Sequence, residues 1–376
     1  MINQILVILS LLLFNLCAIG ITDMVPRTII SGNRIINLRD VTTQPSNLNL
    51  TGIVAVSEDE LWVIGNEMLW RKTPQGEEIP ATNSVLLVSQ NGGQSWEKRL
   101  RFSDTFFSRV YLLKSGDAWI LGDNGLALKS QDKGHTWKPQ NIPVESLLLD
   151  LQFISPYRGW ILSLDRKILQ TQDGGKTWVA YSFSSEVTFF SISFKDEATG
   201  WAVAENGDLY QTRNGGKTWQ SRTPEFRKMI NLPPGDEDLK FRTIKAVNTR
   251  EIFCFADVQS KINDDKAVRL RSQDGGITWN IKTISTSTGG LNKVYIVNEK
   301  EAWLVPGNRH IKSLLHTSDG WETFKEIKLP VLERPGSFYF LNSQMSWFII
   351  ATDDFSSTII FCTTDGWKTS KKLKVE

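Results

Sequence analysis

The segment Gly200–Trp219, GWAVAENGDLYQTRNGGKTW, contains the two signatures that decide the fold of this 376-residue chain. The first is a short apolar run opened by Gly200 and Trp201, which is typical of a buried β-strand. The second is the box Thr212–Trp219, with the pattern Ser/Thr, any residue, Asp/Asn, Gly, a spacer, Thr/Ser and an aromatic. A side chain that accepts backbone N–H bonds, followed by glycine, is typical of a tight reversal. The segment therefore predicts two strands and a hairpin turn.

The box recurs seven times along the chain. The final positions of consecutive boxes are 41, 41, 41, 60, 45 and 46 residues apart, which indicates one repeated unit with insertions. We predict a structural role for the turn-forming Asn91, Asp132, Asp173, Asn214, Asp274, Asp319 and Asp365 and for the closing Trp96, Trp137, Trp178, Trp219 and Trp279. The last two boxes are degenerate and end in Phe324 and Ser370. We expect each closing tryptophan to lie flat across its hairpin.

A strand that opens with an aromatic residue precedes every box. The residues are Trp62, Trp119, Trp160, Trp201, Phe253, Trp303 and Trp347. Each unit then has room for four strands, and seven such units predict an all-β, seven-bladed β-propeller over residues 49–376. We expect four antiparallel strands per blade, named A to D, with the Asp-box hairpin between strands C and D.

The N-terminus has the character of a targeting segment. Ile5–Ile21 is apolar apart from Ser10 and Asn15, and Ala18–Gly20 resembles a cleavage site. We predict a signal peptide at residues 1–20; an uncleaved membrane anchor at 5–21 and a lipoprotein modified at Cys17 stay open. All three place the protein outside the cytoplasm. Residues 21–48 form a polar N-terminal segment that we consider for a ring-closing strand.

Composition narrows the classes of partner and cofactor. The net charge of +2 favours neither nucleic acid nor an acidic membrane, so membrane association would come only through the N-terminal segment. The remaining Cys254 and Cys362 are expected as separate buried residues. Three histidines and two cysteines make a poor zinc-ligand set. We therefore expect no metal and no cofactor.

These boxes and strands resemble the Asp-box (BNR) propellers, especially the photosystem II stability/assembly-factor-like family. The resemblance rests on combinations such as Gly200–Val203 with Thr212–Trp219 and covers residues 49–376. It implies an exported, non-enzymatic scaffold that binds proteins through an arginine-rich surface, in phototrophs during photosystem II assembly. Relatives also occur in bacteria that do not photosynthesise, and sialidases, sortilin-type receptors and some glucan hydrolases carry the box too.

The candidate binding residues follow from this fold. Loops joining B to C and D to the next A carry recognition in propellers, and here they contain long insertions at 66–83, 225–240 and 258–267. The predicted partner-binding residues are Arg71, Arg101, Arg166, Arg227, Arg242, Arg309 and Arg334. We predict a monomer that binds an unidentified protein. The alternatives are a sialidase-like or other carbohydrate-active propeller, for which Tyr339 is the one candidate nucleophile, and a structural envelope protein.

Overall fold

The computed structural model describes residues 47–72, 78–113, 115–183, 187–232, 237–260, 266–284, 291–306, 313–329, 335–351, 358–373 and 375. The predicted signal peptide, and all but the end of the N-terminal segment 21–48, lie outside these residues. No helix in the described ranges is long and apolar enough to cross a membrane.

Within the described residues, twenty-eight strands form seven four-stranded sheets, and the strands of each sheet are consecutive along the chain. Blade 1 contains β1 (Asn47–Ala55), β2 (Leu61–Lys72), β3 (Glu78–Ser89) and β4 (Glu97–Ser103). Blade 2 contains β5 (Phe107–Leu112), β6 (Ala118–Gly122), β7 (Ala127–Ser130) and β8 (Lys138–Pro139). Blade 3 contains β9 (Leu148–Phe153), β10 (Gly159–Ser163), β11 (Lys167–Thr171) and β12 (Val179–Ser182). Blade 4 contains β13 (Phe189–Phe194), β14 (Gly200–Ala204), β15 (Leu209–Thr212) and β16 (Gln220–Ser221).

The helix α1 (Thr223–Met229) leads from blade 4 to blade 5. Blade 5 contains β17 (Glu237–Ala246), β18 (Ile252–Ser260), β19 (Lys266–Ser272) and β20 (Asn280–Ile284). Blade 6 contains β21 (Leu291–Ile296), β22 (Ala302–Pro306), β23 (Ser313–Thr317) and β24 (Lys325–Lys328). Blade 7 contains β25 (Pro335–Phe340), β26 (Ser346–Ala351), β27 (Thr358–Thr363) and β28 (Lys371–Leu373).

The core consists of seven apolar layers, one between each pair of neighbouring blades. Trp347 and Ile349 of blade 7 pack with Leu61 and Val63 of blade 1, so the ring is closed. All strand pairings within the blades are antiparallel, and each sheet runs in the order A, B, C, D. The predicted seven-bladed propeller with four antiparallel strands per blade is confirmed.

Alternating strand direction gives the disc two faces. The A–B turns and the boxes lie on one side, which we call the lower face. The B–C and D–A connections lie on the other, the upper face. Parts of the predicted long loops prove to be regular structure, because strands β2 and β3 extend the B–C hairpin of blade 1 and β18 and β19 extend that of blade 5.

Candidate protein-binding face

Each box is a turn closed by its own side chains. In blade 3, Thr171 Oγ1 donates to Asp173 Oδ1 at 2.9 Å and accepts the Gly175 N–H at 2.8 Å. Thr177 donates its N–H to Asp173 Oδ1 at 2.9 Å and its hydroxyl to Oδ2 at 2.6 Å. Because the Thr177 hydroxyl and N–H both stabilise the carboxylate, the pKa of Asp173 is lowered to about 2. The box carboxylate thus serves the turn.

The boxes also join neighbouring blades. The indole of Trp178 donates to the Gly175 carbonyl at 3.1 Å and packs edge-on, at 90°, against Trp119 of blade 2. Trp137 meets Trp62 of blade 1 in the same way, at 69°. Each of these two box tryptophans therefore contacts the strand-B tryptophan of the preceding blade edge-on, while its indole N–H bonds to its own turn.

In the two degenerate boxes, a different aromatic residue enters the apolar layer shared with the preceding blade. Trp321 and Trp367 replace the second glycine of the box and have positive φ values of 74° and 69°. Trp321 stacks on Phe253 of blade 5 at 4.2 Å, and Trp367 stacks on Phe348 of its own blade at 3.9 Å. The aromatic residue is moved by three positions along the box, which explains why Phe324 and Ser370 are acceptable at the end.

The described members of the predicted arginine set lie toward the upper side of the ring. Arg71 lies in β2, Arg101 near the end of β4, Arg166 between β10 and β11, Arg227 in α1 and Arg242 in β17, while Arg309 and Arg334 lie outside the described residues. These positions belong to blade 1 and to blades 3 to 5. The described members therefore form two separate groups on the ring.

Two of the described arginines pair with buried carboxylates. Arg101 Nη2 lies 3.2 Å from Oε2 of the buried Glu67, and Arg242 Nε lies 2.7 Å from Oδ2 of the buried Asp257. Buried carboxylates need such partners, because an unpaired buried charge is strongly unfavourable. Arg166, by contrast, is exposed at a turn with φ of 62°. Arg101 and Arg242 thus stabilise buried carboxylates on this face.

A shallow pocket of about 360 Å³ opens on the upper face between blades 4 and 5. Its walls are polar and carry both signs of charge: they comprise Asn206, Asp208, Ser221, Thr223, Pro224, Arg227, Leu239 and Lys240. The B–C turn of blade 4, helix α1 and strand A of blade 5 each contribute to it. A polar segment of another molecule bound in this pocket would be within reach of several hydrogen-bonding and charged side chains.

Helix α1 is fixed firmly beside this pocket. Buried Phe226 packs edge-on against Phe241 and Trp279, and the Thr223 hydroxyl accepts the Leu209 N–H at 2.9 Å. With one side of the helix held, Met229 remains 48% exposed. The sequence pattern predicts an insertion loop at 225–240, whereas residues 223–229 of the structure form this helix. Pro224 near the helix start, followed by Glu225, was the signal that would have found it.

An exposed aromatic residue lies on the same side of the disc. Phe190, the bulged residue of β13, is 37% exposed near the point where strand A of blade 4 begins. Exposed apolar side chains on a rigid surface mark interaction sites when polar groups surround them. Phe190, Met229 and the pocket together make the upper side of blades 4 and 5 the candidate binding face.

Tyr339, the candidate nucleophile of the catalytic alternative, is among the described residues. Tyr339 lies in β25, where burial raises its pKa and it packs among apolar residues of blades 1, 2 and 7. Within the described residues, no group of three or more His, Cys, Asp or Glu side chains is placed to hold a metal. His316 lies within β23, stacked on Trp303 at 4.1 Å and 3.1 Å from Glu301, where it supports the strand. Cys254 and Cys362 are both buried and free.

The fold is that of a seven-bladed β-propeller with four antiparallel strands per blade. The family model described as photosynthesis system II assembly factor YCF48 matches residues 129–221, which span the boxes of blades 2 to 4. The resemblance to this family is therefore confirmed. None of the curated proteins matches the chain in sequence.

Solved structures with the same fold include YCF48. YCF48 bound to a D1 peptide is 16% identical, with a TM-score of 0.55 over 85% of this chain and 94% of that one. YCF48 from Cyanidioschyzon merolae is 16% identical, with a TM-score of 0.54 over 87% and 98%. The GH74 xyloglucanase from Xanthomonas campestris is 10% identical, with a TM-score of 0.50 over 88% of this chain and 61% of that one. At these identities the likeness shows the fold alone.

Proposed function

We propose that this protein is a non-catalytic, extracytoplasmic scaffold that binds a partner protein, in the manner of an assembly or stability factor for a membrane or envelope complex. The observation that carries the proposal is the upper side of blades 4 and 5, where a fixed helix presents Met229 and Arg227 beside a polar pocket. The family-model match supports it, since that family is named for assembly of a membrane complex. A similar structure holds a D1 peptide, which supports a peptide segment as the bound element.

The test compares substitutions on opposite faces. Arg166→Glu, Arg227→Glu and Met229→Asp change the upper face together, whereas Ile277→Asp changes a side chain that is 79% exposed on the lower face. Arg101 and Arg242 are left intact because they hold buried carboxylates. Affinity capture from envelope extracts should recover a discrete partner with the parent protein and the Ile277 variant. Loss of a hot-spot side chain weakens binding by about 30-fold, so the triple variant should fail to retain it.

Two outcomes of that capture would contradict the proposal. One is retention of the same partner by the triple variant, and the other is equal loss with Ile277→Asp. Circular dichroism on each variant shows whether the fold is kept. Light scattering of the purified chain tests the proposed monomer.

Export is a separate part of the proposal. It rests on the apolar stretch Ile5–Ile21 and the small residues Ala18 and Gly20. Mass spectrometry of the mature N-terminus should find cleavage after Gly20. A chain retained in the cytoplasm with Met1 intact would contradict export, whereas an intact chain in the membrane fraction would indicate the anchor at 5–21.

The carbohydrate-active alternative is less well supported. A retaining glycosidase needs two carboxylates about 5 Å apart. Asp150 directly follows the β-bulge of its strand A, and both its oxygens accept protein hydrogen bonds. The equivalent positions of the other six strands A hold no carboxylate; they are Gly52, Arg109, Ser191, Thr243, Lys293 and Ser337. Those positions therefore lack the second carboxylate of a hydrolytic pair.

A further inference from the structure

The pocket on blades 4 and 5 holds a carboxylate and an ammonium on adjoining walls. Asp208 belongs to the B–C turn of blade 4, and Lys240 belongs to β17 of blade 5. The two walls are in direct contact, because a Cβ added to Gly207 would lie 2.9 Å from both Cβ and Cγ of Lys240. The Gly207 carbonyl also accepts the Phe241 N–H at 2.7 Å. The positions of both charged residues are therefore set by the packing of the two blades.

Neither charge is neutralised by another side chain among the described residues. Asp208 Oδ2 accepts a hydrogen bond from Asn206 Nδ2 at 2.9 Å, whereas Oδ1 accepts none from the described part of the chain. Lys240 Nζ likewise has no ion pair or hydrogen bond there. Both residues are half-buried, so their charges are only partly solvated. Arg227, the third charged residue of the wall, already interacts within the protein. A ligand with both signs of charge would therefore neutralise Asp208 and Lys240 together.

The uncharged part of the wall suits a polypeptide backbone. The Thr223 hydroxyl accepts the Leu209 N–H at 2.9 Å, so its own proton can be donated to a carbonyl oxygen in the pocket. Ser221 is exposed and provides a second hydroxyl, while Pro224 and Leu239 add apolar surface. The volume of about 360 Å³ is at the lower end of the range of about 300–1,000 Å³ for ligand pockets, which limits the ligand to a short stretch of chain.

We propose that this pocket binds a short segment of the partner protein that carries one basic and one acidic side chain. The basic group lies against Asp208 and the acidic group against Lys240, and each forms a charge-assisted hydrogen bond. A segment with charges of one sign leaves one of the two residues unpaired and places a like charge beside it. This specificity rests on the proposed protein-binding function, because it describes the segment that the same face recognises.

The test uses three capped tripeptides and the purified full chain. Acetyl-Lys-Gly-Glu-amide and acetyl-Glu-Gly-Lys-amide carry the two charges in opposite orders, and acetyl-Gln-Gly-Gln-amide carries none. Titrations followed by saturation-transfer NMR should show that one charged order binds at least about tenfold more tightly than the neutral peptide. Asp208→Asn and Lys240→Gln should each weaken binding of that peptide about tenfold, because each removes a charge-assisted hydrogen bond. The matched controls Glu145→Gln and Lys228→Gln change exposed residues outside the pocket lining and should bind as the parent does.

Exchanging the two charges gives the sharper comparison. A variant that combines Asp208→Lys with Lys240→Asp should prefer the opposite peptide order, and the single neutral variants remain informative if circular dichroism shows that it does not fold. Equal binding of the three peptides, absence of binding for both charged peptides, or parent-like binding by both single variants overturns the charge pairing. Those results leave the proposed function standing if the triple variant of the capture test still loses its partner, whereas retention of the partner by that triple variant overturns the function itself.

Discussion

Replacing Gly175 by alanine tests the joint between blades 2 and 3. Gly175 has φ of 89°, and an added Cβ would lie 2.5 Å from Cη2 and 2.8 Å from Cζ2 of Trp119. The matched control is Gly116→Ala, which has φ of 87° and no atom within 4 Å of the added Cβ. The backbone strain of about 1–2 kcal/mol and the change in unfolded-state entropy are therefore common to both variants. The difference between them isolates the contact with the indole.

Forcing a methyl group into a packed layer costs about 1–3 kcal/mol. We therefore expect Gly175→Ala to lower the free energy of unfolding by about 2–5 kcal/mol and Gly116→Ala by about 1–2 kcal/mol. Equilibrium unfolding in guanidinium chloride, followed by far-UV circular dichroism, measures both. Equal destabilisation of the two variants would refute the claim that the box glycine is required by contact with the preceding blade.

Three further predictions concern charged groups. The pKa of Asp173 is lowered to about 2, so its contribution to stability is present above the unfolded pKa and is lost as pH falls from about 4 to about 2. The variant Asp173→Asn carries the residue that blade 4 has as Asn214, and it should flatten this part of a curve of Tm against pH. Burial lowers the pKa of Lys293 from 10.5 to about 8. At pH 7, Lys293→Met should therefore be more stable than the parent in urea unfolding by roughly 1–3 kcal/mol, and this advantage should vanish as pH rises from about 8 to 10.5. Asp257 is 1% exposed and accepts hydrogen bonds from Arg242 and the Leu291 N–H. Asp257→Ala should therefore lower the free energy of unfolding by about 3–5 kcal/mol in urea unfolding. A decrease of under about 1 kcal/mol would contradict a structural ion pair.

The repeat could be predicted because every unit needs the same turn residues and the same buried aromatic residue. A box such as Thr171–Trp178 closes its own turn, so its residues are visible as a motif without knowledge of the neighbours. The opening aromatic of strand B is buried in every blade, from Trp62 to Trp347, and this regular burial leaves an equally regular signal. The number of blades and their strand order follow from these two signals.

Contacts between residues that are distant in the chain were harder to predict from the sequence. The edge-on contact of Trp178 is made with Trp119, which is 59 residues earlier in the chain. The partners of Arg101 and Arg242 are likewise specified by folding, since each carboxylate lies on a different strand of the same blade. The equivalence of Arg109 and Lys293 depends on the bulge in each strand A, which the apolar pattern does not reveal.

The extent of the insertions was also hard to read from composition. Residues 66–83 and 258–267 are polar enough to suggest loops, yet much of each continues a hairpin, since backbone pairing between two strands needs no apolar alternation beyond the core. Helix α1 is short and follows directly after β16, so the periodic signal that identifies longer helices is absent.

The central claim is that the upper side of blades 4 and 5 binds a protein partner. A photoreactive amino acid placed at Met229, and in a separate variant at Ile277, compares two exposed apolar positions on opposite faces. Irradiation in intact cells should give one discrete cross-linked species from position 229 and none from position 277. A discrete product from position 277 alone, or no product from position 229, would contradict the claim.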